Sequence, residues 1–424
     1  MQSKGYFQKK NFVLKIGQKP SDKLNLCVVL PSYNETNLER SLLSLAKCML
    51  PSGGVEVIVV VNHPVNSSSD IVELSEQSFE IVRNFDAKYG KDCFRVYGIK
   101  AFDLPRKSAG VGLARQIGMD EAAYRLSLVN NPNGIIACFD ADATCMPNYL
   151  VELENLWKNY PNTTACSIKY AHPTDGIEYS NDLYIGIAGY ELHLRYYNQA
   201  SRFVGFPFSY HTIGSSMACS AQTYLKFGGM NRHQAGEDFY FLQKIIPHGN
   251  FRELNTTCIF PSPRPSIRVP FGTGRAMMKF LENTCEGIKT YNLNSFTDLV
   301  PLFLLVDKIW DLNDNSTLEQ IKLLPRPISD FLISSNVVEE IRRVKDNTAN
   351  QKSFRKRFFL WFDAFMLLKY LNFVNEHYYT RELVESEAAK LGRLIGLPLN
   401  SDANIVELLE LYRKKDMENW NPKF

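Results

Sequence analysis

The sequence predicts an α/β fold: a mostly parallel sheet with helices on both faces. Three observations carry that prediction. Short apolar runs recur at residues 24–30, 55–61, 94–99 and 135–139, each the length of a buried strand. A helical stretch or a helix-start pattern follows each of the first three, the alternation that parallel strands require. The fourth run, Ile135-Ile136-Ala137-Cys138-Phe139, ends abruptly in Asp140 and Asp142, where open α/β sheets bind ligands.

In chain order, Pro31-Ser32-Tyr33-Asn34-Glu35 follows the first run. Pro31 stops the ladder there, and Asn34 or Thr36 can cap an amphipathic helix over 38–49. The second run ends at Asn62-His63-Pro64, and the run from Asn66 to Asp70 fits a helix start. His63 reads either as a ligand or, as a loop histidine beside a proline, as a solvated side chain. The segment from Lys107 to Gln116 opens the next helix. Its N-terminus and the cations Lys107 and Arg115 favour an anion, so Arg115 reads either as a diphosphate contact or as a salt bridge to Asp140 or Asp120.

Two carboxylates one residue apart repel unless something positive lies beside them. Asp140 and Asp142 therefore read as a site for Mg²⁺ or Mn²⁺ carrying a phosphate, since hard oxygen ligands suit those ions and not zinc. The alternative is a turn in which one aspartate caps the helix that follows.

Bulk properties narrow the class. The chain has 424 residues, 45% hydrophobic and 22% charged, with 48 Lys and Arg against 45 Asp and Glu. Such a balance gives no footprint for nucleic acid. No apolar run is long enough to span a membrane, and residues 1–23 are basic without the pattern of a signal peptide. Nine cysteines without a CxxC pair read as reduced thiols in a cytoplasmic protein.

Four blocks, in order, carry a family resemblance. They are Val29-Leu30-Pro31-Ser32-Tyr33-Asn34-Glu35, the Gly112-x-Ala114-Arg115 helix, Asp140-Ala141-Asp142, and a run from Gly214-Ser215-Ser216-Met217-Ala218 through Phe227-Gly228-Gly229-Met230 to Gly236-Glu237-Asp238-Phe239. Together they resemble family 2 glycosyltransferases over about residues 24–275. The resemblance implies a GT-A fold, a Rossmann-like mixed sheet flanked by helices. It divides the chain into an N-terminal extension 1–23, a catalytic domain 24–275 and a helical C-terminal domain 276–424.

What the resemblance implies for activity is transfer of a sugar from a nucleotide-diphosphate sugar to an acceptor hydroxyl, metal-assisted and inverting. The acceptor is open: a glycan, a lipid-linked molecule or a small molecule. Pro31, Tyr33 and Glu35 would bind the nucleotide. Asn62 stands where many members carry an acidic pair, which leaves uracil and guanine both open. Lys107, Arg115 and Asp140 would face the diphosphate, with Asp140 and Asp142 on the metal. Gly214, Ser215 and Ser216 would pass close to the donor sugar on the acceptor side. Asp238 would be the base and Glu237 its support; the two acids capping their own helix is the alternative.

A third metal ligand is often a later histidine in this fold, yet the matching segment 259–266 has none. The stretch from Arg264 through Arg268, Gly272 and Gly274 to Arg275 reads as a loop folding over phosphate, as a contact for an anionic acceptor, or as a plain connection. A retaining transferase or nucleotidyltransferase on a related fold, and a non-catalytic module binding a sugar or a partner protein, are the rival functions.

The region after 275 turns helical. Ile405, Leu408, Leu409 and Tyr412 share one helix face. The apolar stretch 358–368 implies a buried helix interrupted by Asp363, and Arg355-Lys356-Arg357 reads as a solvated helix start or a peripheral contact with anionic lipid.

Overall fold

A computed structural model of the chain describes residues 2–233, 236–266, 272–283, 286–400, 402–418 and 420. The elements run α1 (Gln2–Lys9), β1 (Leu24–Ser32), α2 (Leu38–Ala46), β2 (Gly54–Pro64), α3 (Ser69–Tyr89), β3 (Phe94–Leu104), α4 (Val111–Leu128), β4 (Ile135–Cys138), β5 (Thr144–Cys145) and α5 (Tyr149–Asn159). There follow β6 (Ala165–Tyr170), α6 (Asn181–Phe203), β7 (Met217–Ser220), α7 (Ala221–Lys226), α8 (Glu237–Ile245), β8 (Phe251–Phe260) and α9 (Thr273–Glu282). The rest is β9 (Lys289–Thr290), α10 (Leu293–Thr297), α11 (Leu299–Ile309), α12 (Asp314–Lys322), α13 (Arg326–Ser334), α14 (Val337–Asp346), α15 (Gln351–Trp361), α16 (Ala364–His377), β10 (Glu382–Leu383), α17 (Val384–Leu394) and α18 (Ile405–Lys415).

Eight strands form one sheet in the order β3-β2-β1-β4-β7-β6-β8-β5. The half built from β3, β2, β1 and β4 is parallel throughout. Beyond β4 the sheet is mixed, because β7 runs antiparallel to both β4 and β6 while β6 and β8 are parallel. The expectation of a mostly parallel sheet holds for the first half only; over its whole width the sheet is mixed and flanked by helices.

Burial follows the two-residue alternation of a strand covered on both faces. Leu26, Val28 and Leu30 of β1 join Val55, Val57 and Val59 of β2 in a core with Leu38, Leu42 and Leu45 of α2, Phe85 of α3 and Trp157 of α5. The intervening Val29 and Val60 turn the other way, onto α4. Gly118 of α4 admits them: a Cβ there would lie 2.4 Å from Val29 Cγ1 and 2.9 Å from Val60 Cγ2.

Pro31 does not end β1. The strand continues beside β2 through Ser32, which pairs with Val61. What ends is the ladder with β4: the Phe139 amide donates to Val29 O at 3.0 Å, and the next bond would need an N–H from Pro31, which has none. The chain order reverses between β1 and β4, and it is at the C-terminal ends of strands at such a reversal that open α/β sheets bind ligands.

The chain divides into two compact units. The first comprises Met1–Gly176 and Thr212–Met278, the second Ile177–His211 and Lys279–Phe424. The expected catalytic stretch 24–275 thus contains a helix, α6, that belongs with the C-terminal helices. Its Tyr184 and Tyr196 are buried. Residues 1–23 are part of the first unit, with Phe7 and Ile16 buried.

Within the second unit, Leu408, Leu409 and Tyr412 of α18 point inward. A buried charge network joins Glu191 and Arg195 of α6 to Arg413 and Asp416. The apolar stretch 358–368 is two helices: Asp363 caps α16 by accepting the Phe365 and Met366 amides at 2.9 Å each. Arg355 pairs with Asp307 at 3.1 Å, so only Lys356 and Arg357 of the basic triplet are exposed.

Candidate functional site

Arg115 lies in the first turns of α4 with only 3% of its surface exposed. Its guanidinium donates Nη2 to Asp140, just past β4, and Nη1 to Glu237, the first residue of α8. Both groups of acids named from the sequence therefore meet on one arginine. Burial works against the arginine's charge, but Asp140 and Glu237 outweigh it and hold its pKa above the ordinary range. The pairing with Asp140 is the salt-bridge alternative for Arg115. Both arms of its fork rest on carboxylates, Glu237 buried and Asp140 partly exposed.

Two glycines let these elements close on one another. A Cβ at Gly214 would lie 2.1 Å from Arg115 Nη1 and 2.8 Å from both Cζ and Nη2. A Cβ at Gly112 would lie 2.2 Å from the His233 carbonyl oxygen. Side chains at either position would push the arginine or the 231–237 segment away. Ser215 and Ser216 are each 1% exposed, and the Ser216 backbone bonds to Ile213 O and Ile168 N. Their hydroxyls are buried, 3.4 Å apart.

Glu237 is buried, and desolvation pushes its carboxyl up to about 7, with Arg115 pulling against and neighbouring Asp238 adding to the rise. Asp238 keeps partial exposure. Desolvation raises its carboxyl too, opposed by Arg115. Its Oδ1 accepts the Phe239 amide at 2.7 Å. Gly236, with φ +70°, starts α8 without a side-chain cap, so the two acids stand at the positive end of the helix.

The loop carrying Asp140 and Asp142 is pinned from α2, where Ser41 Oγ donates to Ala141 O at 2.8 Å. Asp140 and Asp142 retain side-chain exposures of 37% and 20%. Among the described residues no third His, Cys, Asp or Glu joins them. Arg264, just past β8, comes instead. Its Nη2 donates to Glu35 at 2.6 Å and lies 3.5 Å from Asp142 Oδ2. Glu35 is 2% exposed and also accepts the Asn37 amide at 2.8 Å; Asn37, and not the expected Asn34 or Thr36, is the N-cap of α2, without a side-chain cap bond.

At the ends of β1 and β2 are three buried atoms with no hydrogen-bond partner among the described residues: Ser32 Oγ, Asn62 Oδ1 and His63 Nε2. His63 is not solvated. It is 2% exposed and its ring lies 4.5 Å from that of Phe102 on β3. Tyr33 is partly exposed, Pro31 lies beside it on the strand, and Lys107 is exposed in the turn before α4. Arg275 is in the first turn of α9, partly exposed. Arg268 lies outside the described residues.

The sequence named Arg264 in this loop but not its partners. Arg264 was one of three, and only the placement of β8 beside β5 (Thr144 opposite Phe260) brings it to Asp142. Ser32 and His63 carried no pattern beyond their position at strand ends.

Comparison with known proteins adds a family likeness. No curated protein matches the chain. Among solved structures, S. aureus TarS 1-349 in complex with UDP-GlcNAc is 16% identical with a TM-score of 0.39, covering 78% of this chain and 90% of that one. The mannosyltransferase PcManGT from Pyrobaculum calidifontis, in complex with GDP-Man and Mn²⁺, is 13% identical with a TM-score of 0.37, covering 98% and 94%. The family model for glycosyl transferase family 2 matches residues 27–219, from β1 through β7, ending before the acids of α8. Residues 27–219, which carry the strand-end loops, Arg115 and the Asp140-Ala141-Asp142 turn, are thus similar to glycosyl transferase family 2.

Proposed function

We propose that the chain transfers a sugar from a nucleotide-diphosphate sugar to an acceptor hydroxyl, with inversion at the anomeric carbon. The observation that carries this reading is the joint hold of Arg115 on Asp140 and Glu237. It fixes the distance between a donor-side carboxylate pair and an acceptor-side pair, which a displacement between two bound molecules requires.

Asp140 and Asp142 suit Mg²⁺ or Mn²⁺. They are hard oxygen donors, both partly exposed, and with no third acidic or histidine ligand among the described residues the remaining positions fall to water and diphosphate. When bound, such an ion neutralises charge on the departing nucleoside diphosphate. Asp238 removes the acceptor's proton, and the desolvation that raises its pKa makes it a stronger base. Glu237 and Arg115 hold that carboxylate in place. At the other end, Asn62 offers both a donor and an acceptor to a base edge, with the unpartnered Ser32 Oγ and His63 Nε2 beside it at the strand ends. Tyr33 offers a ring face and Lys107 and Arg275 a positive charge to the donor. The acceptor is a glycan, a lipid-linked molecule or a small molecule, and the domain assignment 24–275 with a helical remainder is part of the same reading.

A second reading rests on Arg264. Its guanidinium already stands beside Asp142, so it supplies part of the positive charge to the diphosphate, leaving less for a metal to do. A donor screen tests both. Nucleotide sugars are incubated with the full chain, with Mn²⁺ or with a chelator, and release of nucleoside diphosphate is followed. Turnover that stops with the chelator and in Asp140→Asn supports the metal-assisted reading. Turnover that survives the chelator but falls in Arg264→Ala supports the second. No nucleoside diphosphate from any donor refutes transfer, and release of pyrophosphate would mark a nucleotidyltransferase.

A further inference from the structure

Cys48 and Cys145 are far apart in sequence and meet behind the Asp140–Asp142 turn. Their sulfurs are 3.6 Å apart. Cys48 follows the end of α2 and is 6% exposed, while Cys145 on β5 is partly exposed. The two elements are already tied: Ser44 Oγ of α2 accepts the Cys145 amide at 2.9 Å. The Cys48 sulfur faces the start of α5, whose N-cap Asn148 makes no side-chain cap bond. The sulfur's other neighbours are carbonyl oxygens, Ser44 O at 3.4 Å and Met146 O at 3.7 Å, the latter also accepting the Tyr149 amide.

We propose that Cys48 and Cys145 are a redox-active dithiol that hydrogen peroxide converts to a disulfide, clamping α2 to the strand that follows the carboxylate turn. This does not depend on the chain transferring sugars. The chemistry divides between the two sulfurs. Hydrogen bonding from Cys145 and the amides of Tyr149 and Leu150 lower the Cys48 pKa against burial, whereas the Cys145 thiol is pushed up. Cys48 is thus the thiolate nucleophile. It attacks the peroxide, the O–O bond breaks, and with one proton taken up water leaves, giving Cys48 sulfenic acid. The Cys145 sulfur then attacks Cys48; the S–S bond forms, the S–O bond breaks, and a second water leaves. Two electrons pass from the two sulfurs to the peroxide.

An S–S bond of about 2.05 Å draws together atoms now 3.6 Å apart. The shift falls on α2 and β5, and Ser41 of α2 holds the carbonyl between the two aspartates. The clamp is therefore felt at that turn.

The test uses the full chain treated with hydrogen peroxide, digested without reduction and analysed by mass spectrometry. The expected result is a Cys48–Cys145 linked peptide, two thiols fewer after denaturation, and slower amide exchange over residues 141–146, all reversed by a dithiol reductant. Cys48→Ser and Cys145→Ser each abolish the linked peptide. Should either substitution unfold the chain, Cys48→Ala or Cys145→Ala serves. Oxidation at other cysteines without this peptide overturns the proposal. A linked peptide with unchanged exchange over 141–146 overturns the clamp.

Discussion

Gly214→Ala probes the packing on which the candidate site depends. The new methyl carbon would sit 2.1 Å from Arg115 Nη1, far inside van der Waals contact. The guanidinium is the end of a long side chain, but its arms are held by buried Glu237 and partly exposed Asp140, so it cannot swing aside without leaving one of them. Overpacking of this kind costs roughly 1–3 kcal/mol, and separating a buried ion pair roughly 3–5 kcal/mol. Partial relaxation sets the expected loss at about 3 kcal/mol, or about 6–12 °C in unfolding midpoint for a unit of this size. The assay is thermal unfolding by intrinsic fluorescence for the wild type, Gly214→Ala, Arg115→Lys and the double variant. Lysine has no atoms where the guanidinium meets residue 214, so the alanine should cost little in that background, with a coupling of about 1 kcal/mol or more. An unchanged midpoint in Gly214→Ala, or an equal loss with and without the guanidinium, would refute the reasoning.

Further outcomes follow from the charges. Asp238→Asn should lower turnover at least about 100-fold with donor affinity little changed, measured by steady-state kinetics and by calorimetry. Because desolvation raises the Asp238 carboxyl above its ordinary 3.8, the acid limb of kcat/KM for the wild type should lie above that pH. Glu237 keeps its proton up to about pH 7 when folded and loses it near 4.5 when unfolded; the folded state binds more protons between these values, so its ionisation weakens the fold as pH rises through that window. Glu237→Gln should flatten that part of the stability profile measured by urea unfolding. In the second unit, burial of Asp416 opposes ionisation but His211 and Arg195 outweigh it and hold the carboxyl below 3.8. Its stabilisation is present above pH 3.8 and lost as pH falls below it; Asp416→Asn should cost roughly 3–5 kcal/mol and remove that acid-side loss.

Strands β1, β2 and β4 were legible because strands covered on both faces must be apolar throughout. The acids were legible too, since carboxylates at strand and helix ends interrupt apolar patterns. The partner of Arg115 was one of two alternatives, and the sequence could not choose, because choosing needs the packing of α8 against α4. Arg264 and Glu35 are 229 positions apart, a pairing with no periodic trace. His63 was misread because a proline neighbour suggests a solvated turn, whereas the parallel pairing of Asn62 with Ala101 brings Phe102 beside its ring. The serines at 215 and 216 were read from a motif of small residues, which signals close packing and does not say which side is wet.

Helix α4 has a second set of obligations on the side away from its arginine. Asp120 accepts hydrogen bonds from Tyr6 and Tyr224 at 2.6 Å each, Glu121 accepts the amides of Lys15 and Ile16 at 3.0 Å, and Arg125 donates to Gln18 O at 2.8 Å. The first eighteen residues thus act as a keel for the helix that carries Arg115. Trimming them, as is routine when tidying an expression clone, would strip partners from three charges on two adjacent turns. Damage done at the amino terminus would then surface as a loose carboxylate pair on the opposite side of the sheet's central helix.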